Sequence, residues 1–303
     1  MNIVFMGTPD FAAESLKAVL AAGHDVTAVL TKPDRPRGRG MKLTSTPVKE
    51  LAITRGIQCF QPETLKDDGC FDLVAKTGPD VIAVVAYGLF LPKRWLELPK
   101  LACVNVHGSL LPKYRGAAPI QRAIINGETE TGVCTMHMTP AMDAGDVILS
   151  KRVKIGENET YGELYDRLKT DGAELLAETL KRIEAGGAPR MPQDAREATF
   201  APPIGKEDAL VDWTKPAKAV HDLIRGTQPA PCARSGNLRI HASRLTGTAT
   251  GEPPGSVVKA DNDGVLVACG DGRVLRLTAI QPPGGPRMDA AAYVNGRGAP
   301  RFT

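Results

Sequence analysis

The sequence predicts an α/β protein with a Rossmann-like, mostly parallel sheet domain, followed by a smaller C-terminal domain resembling an OB-like β-barrel. Three observations carry this expectation. The chain opens strand, turn, helix, strand; short, wholly apolar runs then alternate with helix-like segments to about residue 185; and after a proline-rich stretch only short β-like pieces divided by Gly, Pro and Asp remain.

In chain order, Ile3, Val4 and Phe5 form the first apolar run, and Gly7 and Pro9 punctuate it. Asp10 is placed to cap a helix reaching about Ala22, which Gly23 stops, and Val26–Leu30 resumes as a strand. The runs Val81–Ala86, Cys103–Val106 and Val133–Met138 extend this βαβ start into a sheet. Their lack of polar alternation fits strands covered by helices on both faces. From Tyr161 to Ala185, Leu164, Leu168, Leu175, Leu176, Leu180 and Ile183 recur at helical spacing, and Gly186-Gly187 ends the pattern. A linker is expected over 189–207, dividing a first domain over 1–188 from a second over 208–303. The second contains a helix from Pro216 to Arg225 and β-like pieces at Leu238–His241, Gly255–Val258, Gly264–Ala268 and Val274–Ala279.

A 303-residue chain with 42% hydrophobic and 24% charged residues can bury two cores and falls outside the disordered and fibrous classes. MNIVFMGTPDF lacks the pattern of a signal peptide and no run is long enough to span a bilayer, so a cytoplasmic protein with no membrane partner is expected. Six cysteines (Cys59, Cys70, Cys103, Cys134, Cys232, Cys269) contain no C-x-x-C pair, which reads as buried thiols. Cys134 and His137 are the nearest approach to a metal pair; no second pair completes it, and no metal is expected. Charge is uneven: residues 205–303 hold 13 Lys and Arg against 9 Asp and Glu, while residues 1–204 balance. Residues 32–49 carry six cations against Asp34 alone, a local +5 on which a polyanion could dock.

The first turn, Met6-Gly-Thr-Pro-Asp-Phe11, has one glycine where the dinucleotide fingerprint needs three, and Pro9 has no N–H for a pyrophosphate, so NAD is not expected. Cys103-Val-Asn-Val-His107 is more informative. Side chains alternate along a strand, so Asn105 and His107 share a face at its carboxyl end, where open α/β sheets bind ligands. Residue spacing alone also allows a hydrogen-bonded pair that holds the next loop. Asp143, in Met142-Asp-Ala-Gly-Asp146, reads by itself as a turn residue.

Taken together, Asn105-Val-His-Gly-Ser-Leu-Leu-Pro112 with Gly116, followed by Asp143-x-Gly-Asp146, resembles the signature of the folate-dependent formyltransferases. The opening Phe5-x-Gly-Thr-Pro-Asp-Phe11, the insertion Lys32 to Lys42 continuing to Pro47-Val-Lys49, Val85-Ala-Tyr-Gly-Leu89, and Arg115-Gly-Ala-Ala-Pro-Ile-Gln-Arg122 are similar to those members whose acceptor is initiator methionyl-tRNA. Ala230 departs from the pattern, standing where those members usually carry tryptophan, and the last segments match loosely.

The resemblance implies a transferase moving a formyl group from 10-formyltetrahydrofolate to the methionine α-amino group, acting in translation initiation as a monomer. It implies that Asn105 donates to the developing oxyanion, that His107 donates or transfers protons, and that Asp143 supports His107. It places folate against Ser109, Leu110, Leu111 and Pro112 and against the loop Tyr87, Gly88, Leu89, Phe90 and Leu91. It also implies that tRNA lies across both domains, with Arg37, Arg39 and Lys42 at its acceptor end. Two other readings stay open: a formyltransferase acting on an amino sugar nucleotide or glycinamide ribonucleotide, and a noncatalytic RNA-binding protein. The first needs no basic platform, and the second leaves the N-x-H and D-x-G-D residues without a purpose.

Overall fold

A computed structural model describes residues 1–37, 40–300 and 302 of the chain; the Arg37 side chain lies outside that description. The first compact unit comprises residues 1–116, 132–153 and 166–200. In chain order it contains β1 (Asn2–Gly7), α1 (Asp10–Ala21), β2 (Asp25–Leu30), a short hairpin of β3 (Arg35–Arg37) and β4 (Lys42–Thr44), and α2 (Pro47–Thr54). These are followed by β5 (Cys59–Phe60), α3 (Asp68–Ala75), β6 (Val81–Val85), α4 (Lys93–Leu96), β7 (Ala102–His107) and β8 (Arg115–Gly116). After α5 (Pro119–Ile125), which belongs to the second unit, come β9 (Glu130–His137) and β10 (Val147–Lys154), and then most of α6 (Tyr161–Glu184).

The sheet has seven strands in the order β10-β9-β7-β6-β1-β2-β5. β5, β2, β1, β6 and β7 are parallel, and β9 joins β7 antiparallel. The apolar runs behave as expected: Ile3, Val4, Phe5 and Met6 are wholly buried, as are Val81, Ile82, Ala83 and Val85. One core layer gathers Val4, Met6, Leu30, Ile82, Tyr87 and Trp95. Strand order reverses across the sheet between β1 and β6, since β2 and β5 lie to one side and β7 and the later strands to the other.

The first turn is built differently from the sequence expectation. Pro9 is the N-cap of α1 and Asp10 the first helical residue, with no side-chain cap. Asp10 still favours the positive helix end and lies 3.1 Å from Lys169. Gly7 is required for packing: a Cβ there would lie 2.5 Å from the Ala12 Cβ and 2.9 Å from the Val85 carbonyl oxygen. Gly7 thus ends β1 and is needed for close packing, where the sequence alone reads it as punctuation of a turn.

The second unit comprises residues 117–131, 154–165 and 201–303. It contains α5, α7 (Ala217–Gly226) and a separate antiparallel sheet of β12 (Ala233–Ser235), β13 (Leu238–Ala249), β14 (Val257–Asp261), β15 (Gly264–Ala268), β16 (Arg273–Gln281) and β17 (Met288–Asp289), with α8 (Ala290–Arg297) after it; the two-residue β11 (Phe200–Ala201) comes before α7 in the chain and holds the last residue of the first unit and the first of 201–303. The strand order is β12-β13-β16-β15-β14, with β17 also on β16. Among the described residues, β12 and β14 are its ends and no pairing closes them, so the observed architecture is an antiparallel sheet and not a closed barrel. Trp213, Val220, Ile224, Ile240, Leu275 and Leu277 fill its core. No described helix is long and apolar enough to cross a membrane.

Candidate active site

The central strand of the site is β7. It lies between β6, where Asn105 is opposite Val84, and β9, where Asn105 is opposite Met136. Val104 and Val106 occupy one buried face; Asn105 is half-buried and His107 buried on the other. The shared face expected of Asn105 and His107 follows from this register.

His107 is held on both sides. Its Nε2 lies 2.9 Å from the carbonyl oxygen of Tyr114, an acceptor, so Nε2 carries the proton. Its Nδ1 is 3.7 Å from the Asp143 carboxylate. The second ring nitrogen therefore faces the carboxylate. Asp143 is also fixed by the Gly116 N–H, which donates to Oδ2 at 2.8 Å.

Asp143 reaches this position because the loop after β9 folds back over the end of its own strand. A Cβ at Gly145 would collide with the His137 carbonyl oxygen, so only glycine allows the return. Asp143 itself has φ +48°, a left-handed conformation that costs a non-glycine residue free energy and is concentrated at functional sites. Gln193 braces the loop: its Nε2 donates to the carbonyls of Asp143 at 2.9 Å and Gly145 at 2.7 Å. Its Oε1 accepts from Arg115 Nε at 3.1 Å and Nη2 at 2.7 Å. Neither Gln193 nor the Tyr114 carbonyl is foreseeable from residue order. Gln193 lies in a proline-rich stretch without periodicity, and a backbone acceptor leaves no mark in residue type.

The loop after β7 is tied internally. Ser109 Oγ donates to the Lys113 carbonyl at 2.6 Å, and the Cys134 thiol donates to the Ser109 carbonyl at 2.6 Å. Burial pushes the Cys134 thiol up to about 12, so it remains a protonated donor. Cys134 and His137 are three residues apart on one strand and point to opposite faces, which separates them as metal ligands. Among the described residues no group of three potential metal ligands occurs.

Leu110, Leu111 and Pro112 are half-buried. In the loop after β6, Tyr87 and Leu91 are buried, Leu89 is half-buried, Gly88 has φ +78° and Phe90 is 76% exposed. These two loops follow adjacent parallel strands, so their partly exposed apolar side chains flank the end of β7. Of the basic residues, Lys42 is exposed on β4 and pairs in register with Arg37. Arg39 and the Arg37 side chain lie outside the described residues.

Residues 1–180 match the family model described as "Formyl transferase", and residues 203–298 match "Formyl transferase, C-terminal domain". A methionyl-tRNA formyltransferase of Moorella thermoacetica is 49% identical over 98% of this chain and 96% of its own length. One of Symbiobacterium thermophilum is 48% identical over 98% of this chain and 93% of its own. Among solved structures, an N-formyltransferase of Helicobacter canadensis, in complex with folinic acid and dTDP-3-aminofucose, aligns with a TM-score of 0.71 at 20% identity. It covers 91% of this chain and 98% of that one, a likeness of fold.

Proposed function

This chain belongs to the formyl transferase family, and from that premise we propose that it moves a formyl group from 10-formyltetrahydrofolate to the α-amino group of methionine on initiator tRNA. The relatives bearing that activity in their names match it over nearly its whole length at almost half identity. The observation that carries the chemical reading is the His107 imidazole fixed between the Tyr114 carbonyl and the Asp143 carboxylate, two residues along one strand face from Asn105.

In the reaction the methionine nitrogen attacks the formyl carbon, the C–N bond to the folate breaks, the amine loses a proton and the folate nitrogen gains one. Asn105 is the amide donor for the oxygen that becomes negative as the carbon turns tetrahedral; such donors contribute about 10²–10³ in rate. His107 exchanges its proton through Nδ1, because Nε2–H is committed to Tyr114. Asp143 stabilises the resulting imidazolium from 3.7 Å. The folate heterocycle suits the apolar side chains of Leu110, Leu111, Pro112, Leu89 and Phe90, beside the backbone at Tyr87 and Gly88 and the loop carrying Ser109.

The family matches over 1–180 and 203–298 support a division into a catalytic domain and a C-terminal tRNA-binding domain, which we read as 1–188 and 208–303 with a linker over 189–207. The antiparallel sheet of the second unit fits an OB-like platform for the tRNA, and Arg37, Arg39 and Lys42 serve its acceptor end. We read the protein as a cytoplasmic monomer. The test is direct: the protein is incubated with 10-formyltetrahydrofolate and, in parallel, charged initiator tRNA, glycinamide ribonucleotide or an amino sugar nucleotide. Formylmethionyl-tRNA is the expected product. Formylation of a small-molecule acceptor in its place overturns the reading.

A further inference from the structure

In an open α/β sheet, ligands enter at the carboxyl ends of the strands where the strand order reverses. Here that point lies between β1 and β6. The turns that follow these strands are joined by a hydrogen bond, Thr8 Oγ1 donating to the Tyr87 carbonyl at 3.2 Å. Lys32, just past the end of β2 and half-buried, reaches into this place: a Cβ at Gly88 would lie 2.6 Å from its Nζ and 2.9 Å from its Cε. The ammonium thus occupies the space that a side chain at position 88 would fill.

This cation is positioned but not neutralised. Gln61 Nε2 donates to the Lys32 carbonyl at 2.9 Å, which fixes the backbone from which the side chain springs. Asp34, the carboxylate of the same segment, is already used: Oδ2 takes Lys49 Nζ at 2.6 Å and Oδ1 takes Gln61 Nε2 at 2.7 Å. Those bonds hold the Asp34 carboxyl below its ordinary value. Among the described residues no carboxylate pairs with the Lys32 ammonium. A partly desolvated, unpaired ammonium costs free energy, and an anionic ligand offsets it.

We propose that Lys32 is a phosphate-binding residue, whose ammonium holds a phosphodiester of the terminal nucleotides of the charged tRNA in the crevice between the turns after β1 and β6. The inference rests on the formyl-transfer reading. Two features select a phosphate over the carboxylate tail of the folate. Lys32 opens the segment 32–49 with its local charge of +5, so an anionic polymer docked on that segment continues past it. β6 alone separates β1 from β7, about 10 Å at ordinary strand spacing, so a strand end that delivers its amine to Asn105 passes the crevice.

The experiment compares the parent with Lys32→Gln and Lys32→Arg in three measurements. These are filter binding of charged initiator tRNA from low to high salt, calorimetric binding of 5-formyltetrahydrofolate, and steady-state kinetics. Lys32→Gln is expected to weaken tRNA binding about tenfold and to flatten its log–log salt dependence by about 0.7–0.9. Folate binding and kcat at saturating tRNA should stay within about twofold, and Lys32→Arg should recover most of the tRNA affinity. Unchanged tRNA affinity and salt slope overturn the proposal, and so does a loss confined to folate or equal for both ligands. Thermal melting of each variant separates weakened binding from unfolding. A parent protein that binds charged tRNA without formylating it defeats the formyl-transfer reading, and the salt slope still decides whether Lys32 meets a phosphate.

Discussion

Asp143 combines an unfavourable backbone conformation with a committed carboxylate, and that combination separates its structural role from its chemical one. Asparagine tolerates the left-handed region nearly as well, so Asp143→Asn should fold with a little-changed melting temperature. It removes the charge facing His107 Nδ1, and kcat should drop at least about tenfold; single-turnover kinetics beside a melting curve checks both. A variant with undiminished turnover would deny Asp143 its role. His107→Ala and Asn105→Ala should each lower kcat by at least about 10²-fold, roughly 2.7 kcal/mol of barrier, because each removes an interaction that strengthens in the transition state. Near-normal turnover by a folded variant would eliminate that residue as a catalyst. In the sequence, a strand's period of two puts Asn105 and His107 on one face, and only the resemblance of the D-x-G-D residues to the formyltransferase signature draws attention to Asp143. The supports of these three side chains were not legible there. The Tyr114 carbonyl and the Gly116 N–H are backbone groups, and Gln193 arrives from 50 residues beyond Asp143.

Among the elements, the basic segment illustrates what pattern reading misses. Arg35-Pro36-Arg37 and Lys42-Leu43-Thr44 pair as a short antiparallel hairpin, although Pro36 and the absence of any alternating apolar residues give no pattern by which to expect strands. The segment is fixed at both ends, at its start by the bonds of Gln61 to the Lys32 carbonyl and of Asp34 to Lys49 and Gln61, and at its far end by Thr46. Thr46 accepts from the Lys49 N–H at 3.2 Å as the N-cap of α2, and its hydroxyl is 2.8 Å from that of buried Thr31. The hairpin is thus anchored before β3 and after β4 while Lys42, Leu43 and Thr44 remain exposed. Replacing Arg37, Arg39 and Lys42 together by alanine should then leave stability within about 0.5 kcal/mol per substitution. The same change should raise KM for methionyl-tRNA far more than KM for the folate. It should also flatten the salt dependence by about 0.7–0.9 log–log units for each phosphate that these side chains no longer neutralise. Kinetics at two or more salt concentrations tests this, and an unchanged KM and slope would detach the hairpin from the tRNA.

For the whole molecule, the alternation of apolar runs and helices made five of the sheet's seven strands readable, because burial on both faces forces continuous hydrophobicity; the two edge strands were not, since β5 is two residues long and β10 is exposed over Ser150-Lys151-Arg152. The second unit was less readable because it is not contiguous: Arg225 donates to the carbonyls of Gly156 at 3.1 Å and Glu159 at 3.0 Å, and His221 Nε2 lies 3.1 Å from that of Glu157. No local pattern announces a helix anchored to a loop more than sixty residues earlier. That anchoring makes stability depend on pH. His221 is buried, with Nδ1 2.8 Å from Ser243 Oγ, and burial is the main cause lowering its pKa, with the Glu157 hydrogen bond and Asp222 opposing it and Arg225 and Arg244 adding to it. Burial is likewise the first cause lowering His24, His137 and His241. A base whose folded pKa is depressed binds its proton more readily when unfolded, so its contribution is complete above about pH 6.5 and is lost as pH falls through that value. The carboxylates shift the other way in charge but the same way in pH. Asp261, held at about 2 chiefly by Arg276, keeps its contribution until acid protonates the unfolded chain near its ordinary value of about 4. Urea unfolding at constant ionic strength should therefore show stability level from about pH 8 to 7, a first decline between about pH 7 and 5, and a second below about pH 4. In His221→Gln, which removes one of the titrating rings, the first decline should be shallower. Stability that holds constant or rises across the first of those windows would mean that the buried imidazoles are protonated in the fold, against the lowering of the His221 pKa by burial.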